Sequence, residues 1–207
     1  METSANRHPL SDIAFTPAVK AEQERRGSRR IYERHDFQTG VRPHLEAFLA
    51  GVDTAYLATA TKDGQPYAQH RGGPPRFIKV VDDQTIGFAD FRGNRQYVTT
   101  GYLAENDKAF LFLTDYAHRR RIKVWGRARM VEDPAIIAAL ADPTYPATAE
   151  RALLFKVTAY DVNCPQHIPQ KIDAALVASA LDQRDARIRA LEAELAALKA
   201  GTMPPAT

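Results

Sequence analysis

The chain has 207 residues, with 28 Lys and Arg against 25 Asp and Glu, 44% apolar and 26% charged residues. That is the profile of one ordinary globular domain with short appendages, and it excludes wholesale disorder, a collagen-like repeat and a membrane bundle. The single cysteine, Cys164, excludes an intramolecular disulfide framework and a cysteine-based zinc site, and a formal charge of +3 is too small to point to nucleic acid.

Residues 1–16 show no periodicity. Thr16 before Pro17 reads as an N-cap followed by proline at the first helical position. A helix is predicted from Pro17 to about His35, mostly charged and therefore solvated or against a partner; Gly27 and Ser28 inside it leave a kink and two shorter helices equally open. A second helix from Pro43 to Ala50 sets Leu45, Phe48 and Leu49 on one apolar stripe. No apolar leader and no span of about 20 apolar residues occurs, so no membrane association and cytoplasmic residence are the default expectations.

From Thr54 the period changes to two. TAYLATAT (54–61) and PYAQHR (66–71) read as strands joined by a hairpin at Lys62–Gln65, and RFIKVV (76–81) with TIGFADF (85–91) as a second hairpin approached by the rigid Gly72-Gly73-Pro74-Pro75. Arg92–Arg95 ends that strand, and residues 96–106 read as a short helix. Strands follow at Lys108–Thr114 and Ile122–Val131, with Gly126 as a bulge candidate, then a helix at Pro134–Ala141 and a last strand at Ala152–Val162. Seven short strands with peripheral helices argue for a closed antiparallel barrel.

The tail differs in kind. From Ile172 to Lys199, Leu181, Ile188 and Leu195 recur every seven residues, with Leu191 and Leu198 as companions and Arg184 interrupting the seam. Both pairing with another subunit and packing on the chain's own barrel satisfy that pattern, while Gly201–Thr207 reads as disordered. The domain organisation is thus a tail and helix over 1–40, the barrel over 41–170, and a helix with its tail over 171–207.

The best anion site is the strand-turn-helix at Ala89–Val98, where free backbone N–H groups at a helix start meet Arg92 and Arg95; Asn94 could equally be only the N-cap. Lys79, on an apolar strand, either points to solvent or joins Arg95 at the same anion. Arg121 and Lys123 share a strand face with Trp125, which fits a planar anionic cofactor, single-stranded nucleic acid, or a charged loop beside a core tryptophan. The six histidines show no metal-ligand spacing, and no serine sits in a nucleophile elbow. Cys164 beside Pro165 reads as either a packed or a reactive thiol.

The segments FLAGVDTAYLATATKDGQPYAQHR, RFIKVVDDQTIGFADFRGNRQ, LAEN, FLFLTDY and RRRIKVWGRARMVED, in that order between Phe48 and Asp133, resemble the pyridoxamine 5′-phosphate oxidase-like, FMN-binding split-barrel proteins. The resemblance implies a mainly β fold, a split antiparallel barrel, and a homodimer with the flavin at its interface. It implies Arg95 and Lys79 at the cofactor phosphate, Arg76, Phe77 and Ile78 lining the cofactor from the same strand, and Ala89 and Asp90 at the ring or ribityl chain. Gln96 stands where the family often has a second phosphate-binding lysine, and Arg121 where it often has a ring-contacting glutamine.

The arginine-x-histidine segment by which true pyridoxamine phosphate oxidases bind substrate is missing; the chain has Asn163–Ile168 and a leucine-rich helix instead, so vitamin B6 oxidation is not expected. The expected function is an FMN-dependent oxidoreductase acting on a small-molecule substrate, with Arg71 and His167 as candidates for substrate contact. One alternative is a deazaflavin-dependent reductase whose longer acidic coenzyme tail uses Arg25, Arg26, Arg29 and Arg30; another is a binding module for flavin, haem or nucleic acid without turnover.

Overall fold

Proline and glycine punctuate the N-terminal region as their backbone preferences require. In the computed structural model, which describes residues 9–162 and 166–201, α1 (Pro17–Arg25) starts at Thr16, whose hydroxyl accepts a hydrogen bond from the Val19 N–H. It stops before Gly27, which takes φ +72°, and α2 (Arg29–Tyr32) follows, so the long charged stretch is two helices. α3 (Pro43–Leu49) buries Leu45, Phe48 and Leu49, the predicted stripe. The expectations for residues 1–8, for the Cys164 thiol and for the tail beyond residue 201 lie outside the described residues.

Seven strands follow: β1 (Thr54–Ala60), β2 (Pro66–Gly72), β3 (Lys79–Val80), β4 (Thr85–Phe91), β5 (Lys108–Asp115), β6 (Arg120–Val131) and β7 (Ala149–Val162). Their order is β2-β1-β5-β6-β7-β4-β3, with every neighbouring pair antiparallel. Among the described residues no ladder joins β2 to β3, so the barrel expected to close is split along that edge. Inward residues such as Leu57, Ile86, Phe88, Leu111, Ile122 and Phe155 fill one core, while Arg121, Lys123 and Trp125 stand on the outer face of β6. α4 (Val98–Glu105) and α5 (Pro134–Leu140) are peripheral.

β3 and β7 depart furthest from expectation, the other strands by two residues or fewer at an end. Only Lys79 and Val80 of RFIKVV pair with β4, because Pro74 and Pro75 lack N–H donors and Arg76 adopts φ +72°. Phe77 and Ile78 still reach the core, through a turn in which the Phe77 N–H donates to the Pro74 carbonyl (2.9 Å). β7 begins at Ala149 rather than Ala152, since it pairs with β4 on one side and β6 on the other. The predicted bulge is present: the β6–β7 register shifts between Trp125 and Gly126.

A strap at residues 36–38 crosses the outside of β6 and β7. Gln38 exchanges two backbone hydrogen bonds with Tyr160 (3.0 and 2.8 Å), and the buried Phe37 stacks on Trp125 with centroids 5.0 Å apart. Phe110 meets the same indole edge-on at 5.1 Å. Trp125 is therefore covered by its own chain and offers no open stacking face for a nucleic-acid base.

The β5–β6 turn is held by Asp115, whose carboxylate accepts from the His118 N–H (3.0 Å) and from Arg120 Nη2 (2.7 Å). Burial opposes its ionisation, but Arg120 and His118 outweigh that and hold the carboxyl below its ordinary range. A carboxyl whose pKa falls on folding contributes stability that is full above its unfolded pKa, about 3.9, and is lost as pH falls through the folded value. Asp115→Asn is accordingly expected to cost about 1 kcal/mol at neutral pH. In urea titrations the gap from the parent should shrink as pH falls below about 4; a gap independent of pH would contradict this account.

α6 (Ala174–Gly201) covers the predicted heptads, and every side chain from Ala174 to Ala200 is exposed, so among the described residues it is not buried against its own barrel. Among the described residues no helix is long and apolar enough to cross a membrane.

Candidate functional site

At the end of β4 the chain turns through Arg92–Tyr97 into α4, and the turn holds two non-glycine residues in the left-handed region, Arg95 (φ 60°) and Tyr97 (φ 53°). Asn94 does not cap the helix: its Oδ1 accepts from the Gln96 N–H (3.2 Å), and the N-cap is Tyr97, which provides no side-chain acceptor. The first N–H groups of α4 are thus left for another acceptor. Arg95 is exposed, and among the described residues its guanidinium has no hydrogen bond or ion pair. Arg92, expected to converge on the same point, instead pairs with Glu150 (2.7 Å). That contact holds the Glu150 carboxyl below its usual range, with Arg151 and Arg95 adding to the effect.

Beneath this turn lies a buried charge cluster. Asp90, 5% exposed, accepts from Arg71 Nη1 (2.7 Å) through one oxygen and from Arg151 Nη2 (2.6 Å) through the other. Arg71 comes from β2 and Asp90 from β4, so the ion pair spans the split that the backbone leaves open. Thr99 of α4 reinforces the crossing, its hydroxyl donating to Gln69 Oε1 of β2 (2.8 Å). Arg151 also lies over the Tyr97 ring, 4.8 Å from its centroid. Two guanidiniums share one carboxylate, and the Nε of each is buried with no partner among the described residues. The resulting cleft sets Arg71, Arg95 and Arg151 against Asp90 and Glu150, with Gln96 and Tyr97 between them, and so keeps a small excess of positive charge and donors, the chemistry that receives a phosphate.

The other expected residues lie elsewhere. Arg76, Phe77, Lys79 and Ala89 line a second cleft beside Leu140 and Asp142, and Ile78 faces α3 together with Arg76 and Lys79. Lys79 and Arg95 do not meet. The Lys79 ammonium donates to the carbonyls of Ala139 (2.9 Å) and Ala141 (3.0 Å), closing the C-terminal end of α5, where a cation is favoured. Arg121 lines neither cleft; its guanidinium lies 5.9 Å from the Phe112 ring centroid. His167 is exposed with φ 61° and also lines neither cleft.

Sequence reasoning missed Arg151, Glu150 and Tyr97. The signal for Arg151 was a register: it stands directly opposite Asp90 in the β4–β7 ladder. Starting β7 three residues earlier would have paired them.

Among known proteins, residues 41–163 match the family model described as pyridoxamine 5′-phosphate oxidase. No curated protein matches the chain. Among solved structures, HupZ of Group A Streptococcus is 14% identical with a TM-score of 0.48, covering 64% of this chain and 99% of its own. An FMN-binding protein of Syntrophomonas wolfei is 15% identical with a TM-score of 0.46, covering 71% and 95%, and an F420 reductase is 20% identical with a TM-score of 0.43, covering 58% and 98%. On the family match, which spans more than half of its length, the chain belongs to the pyridoxamine 5′-phosphate oxidase-like family of FMN-binding split-barrel proteins.

Proposed function

We propose that this protein is an FMN-dependent oxidoreductase acting on a small-molecule substrate, and that it works as a homodimer with the cofactor at the subunit interface. The observation that carries the reading is the positive cleft at the end of β4, where the Arg95 guanidinium, the uncapped start of α4 and the Arg71–Asp90–Arg151 cluster converge. A phosphate monoester fits that donor set. Arg95 and Gln96 would hold it, and the two buried arginines would supply a fixed positive field, oriented by Asp90 so that no reorganisation is needed on binding. Arg76, Phe77, Ile78, Lys79 and Ala89 line the neighbouring clefts toward the ring, and Arg121, outside both clefts, would serve the cofactor of the second subunit. When bound, the flavin supplies the electron transfer, and the chain's part is to anchor it and leave one face open to substrate. His167 remains a proposed substrate contact, while Arg71, tied to Asp90 in the phosphate cleft, is assigned to the cofactor instead.

FMN is favoured over a deazaflavin by the first helix. Arg25 and Arg26 are ion-paired with Glu22, and Arg29 donates to Gln23, so three of the four arginines that a longer acidic tail would use are already engaged.

Arg95→Ala is expected to weaken FMN binding by about 1.5 to 3 kcal/mol, the range of a charge-assisted hydrogen bond, or roughly 10- to 100-fold in Kd. Flavin fluorescence titration measures it. An unchanged Kd in a parent that binds FMN would move the phosphate elsewhere, whereas a parent that takes up no FMN at all would refute the function itself.

A further inference from the structure

α6 is 28 residues long, and its side chains from Ala174 to Ala200 are all exposed. At 1.5 Å per residue it extends about 42 Å. An exposed helix of this length gains its stability chiefly from packing of an apolar stripe. That stripe is Leu181, Ile188 and Leu195 in one heptad position (a), with Val177, Arg184, Leu191 and Leu198 in the companion position (d).

The flanking positions identify what covers it. Position g holds Arg187 and Glu194, and position e holds Asp185, Glu192 and Lys199. In a parallel pair, each g residue faces the e residue of the following heptad on the other strand. A second copy of this helix then sets Arg187 against Glu192 and Glu194 against Lys199, opposite charges in both cases. Arg184, the one charged residue in the seam, packs into a hole that includes Asp185 of the second copy. Within one chain the Arg184 and Asp185 side chains already approach to 3.5 Å, so the carboxylate lies within reach of the seam. An antiparallel pair that sets Ile188 against Leu191 brings Asp185 beside Glu192, like against like, which offsets its favourable Arg187–Glu194 contact, whereas every flanking contact of the parallel pair is between opposite charges. Over its length α6 carries Arg184, Arg187, Arg189 and Lys199 against Asp182, Asp185, Glu192 and Glu194, a balance that gives an anionic membrane or nucleic acid nothing to hold.

We infer that α6 forms a parallel, in-register two-stranded coiled coil with α6 of a second copy of this chain. Its two-fold axis runs along the coil, so a closed dimer accommodates it together with any second interface between the barrels. The inference does not depend on the cofactor.

Disulfide trapping in the full-length chain tests it. In a Cys164→Ser background, Leu191→Cys places two thiols across a seam position, within the Cα separation of about 6 Å that a disulfide spans. In a glutathione redox buffer most of this variant should run as a covalent dimer on a non-reducing gel. Ala193→Cys, on the outer face, should cross-link at least fivefold less. Adding Arg187→Glu to Leu191→Cys should lower the cross-linked fraction several-fold, and adding Glu192→Arg to that same chain should restore it. The inference is overturned by an absent cross-link at residue 191, by equal cross-linking at 193, or by failure of the charge exchange to restore pairing. Residues 187, 191, 192 and 193 are all exposed on α6, and every variant is compared in the same Cys164→Ser background, so retained FMN absorbance separates a failure here from a failure of the flavin reading.

Discussion

Asp90→Ala is expected to lower the stability of the fold by about 3 to 5 kcal/mol, the cost of leaving a buried charge without its partner. The side chains of Arg71 and Arg151 are only 15% and 13% exposed, and each has a buried Nε already lacking an acceptor. Without the carboxylate the two guanidiniums face one another at low dielectric, and water cannot reach them as it would a surface pair. The loss is compounded by position, since Arg71–Asp90 ties β2 to β4 where no backbone ladder does. Urea unfolding of the cofactor-free protein measures the effect. Arg71→Met in the same chain should recover part of it, because one buried charge is removed, and a loss below about 1 kcal/mol for Asp90→Ala would show the cluster to be solvated and loosely held.

The second large effect is steric. A Cβ added to Gly126 would lie 2.1 Å from the Lys156 carbonyl oxygen and 2.4 Å from the Phe155 ring, one a backbone atom of β7 and the other part of the core. Neither can retreat as the tip of a flexible side chain could. Gly126→Ala is expected to cost about 3 kcal/mol or more, at the upper end of overpacking effects. Gly101 is the internal control: it lies within α4 with nothing within 4 Å of its added Cβ. Gly101→Ala should stabilise by about 0.5 to 1 kcal/mol through helix propensity alone. Similar outcomes for the two substitutions, read from thermal or urea melts, would contradict the close packing at the bulge.

What was legible in the sequence followed from local rules. β4 was read to the residue because TIGFADF is bounded by polar turns, and the Gly126 bulge because glycine inside a strand marks close backbone approach. RFIKVV failed for a reason that is also local but hidden: the double proline withholds donors, and nothing about Arg76 announces a left-handed backbone. The site was half legible. Arg95 was found from the turn and the helix start, which are contiguous in sequence. Arg71 and Asp90 are each singled out by the sequence, one for substrate and one for the ring or ribityl chain, yet their bond to one another joins the edge strand β2 to β4, next to the opposite edge, and no periodicity predicts such a pair. Lys79 escapes both sequence readings, solvent-facing or at the anion with Arg95, because its acceptors, the carbonyls of Ala139 and Ala141, are backbone groups about sixty residues away in sequence. Contacts of that kind are set by the packed fold, which residue types alone do not encode.

The strap at residues 36–38 makes the protein report on itself. Trp125 is the only tryptophan of the chain, and its indole is sandwiched between Phe37 of the strap and Phe110 of the sheet, with the Lys123 ammonium 5.5 Å from the ring centroid. Intrinsic emission therefore arises at the seam between the strap and the barrel wall. A red shift of that emission reads the wetting of this seam, an event that far-ultraviolet dichroism, governed by the helices and the strand ladders, would leave unrecorded.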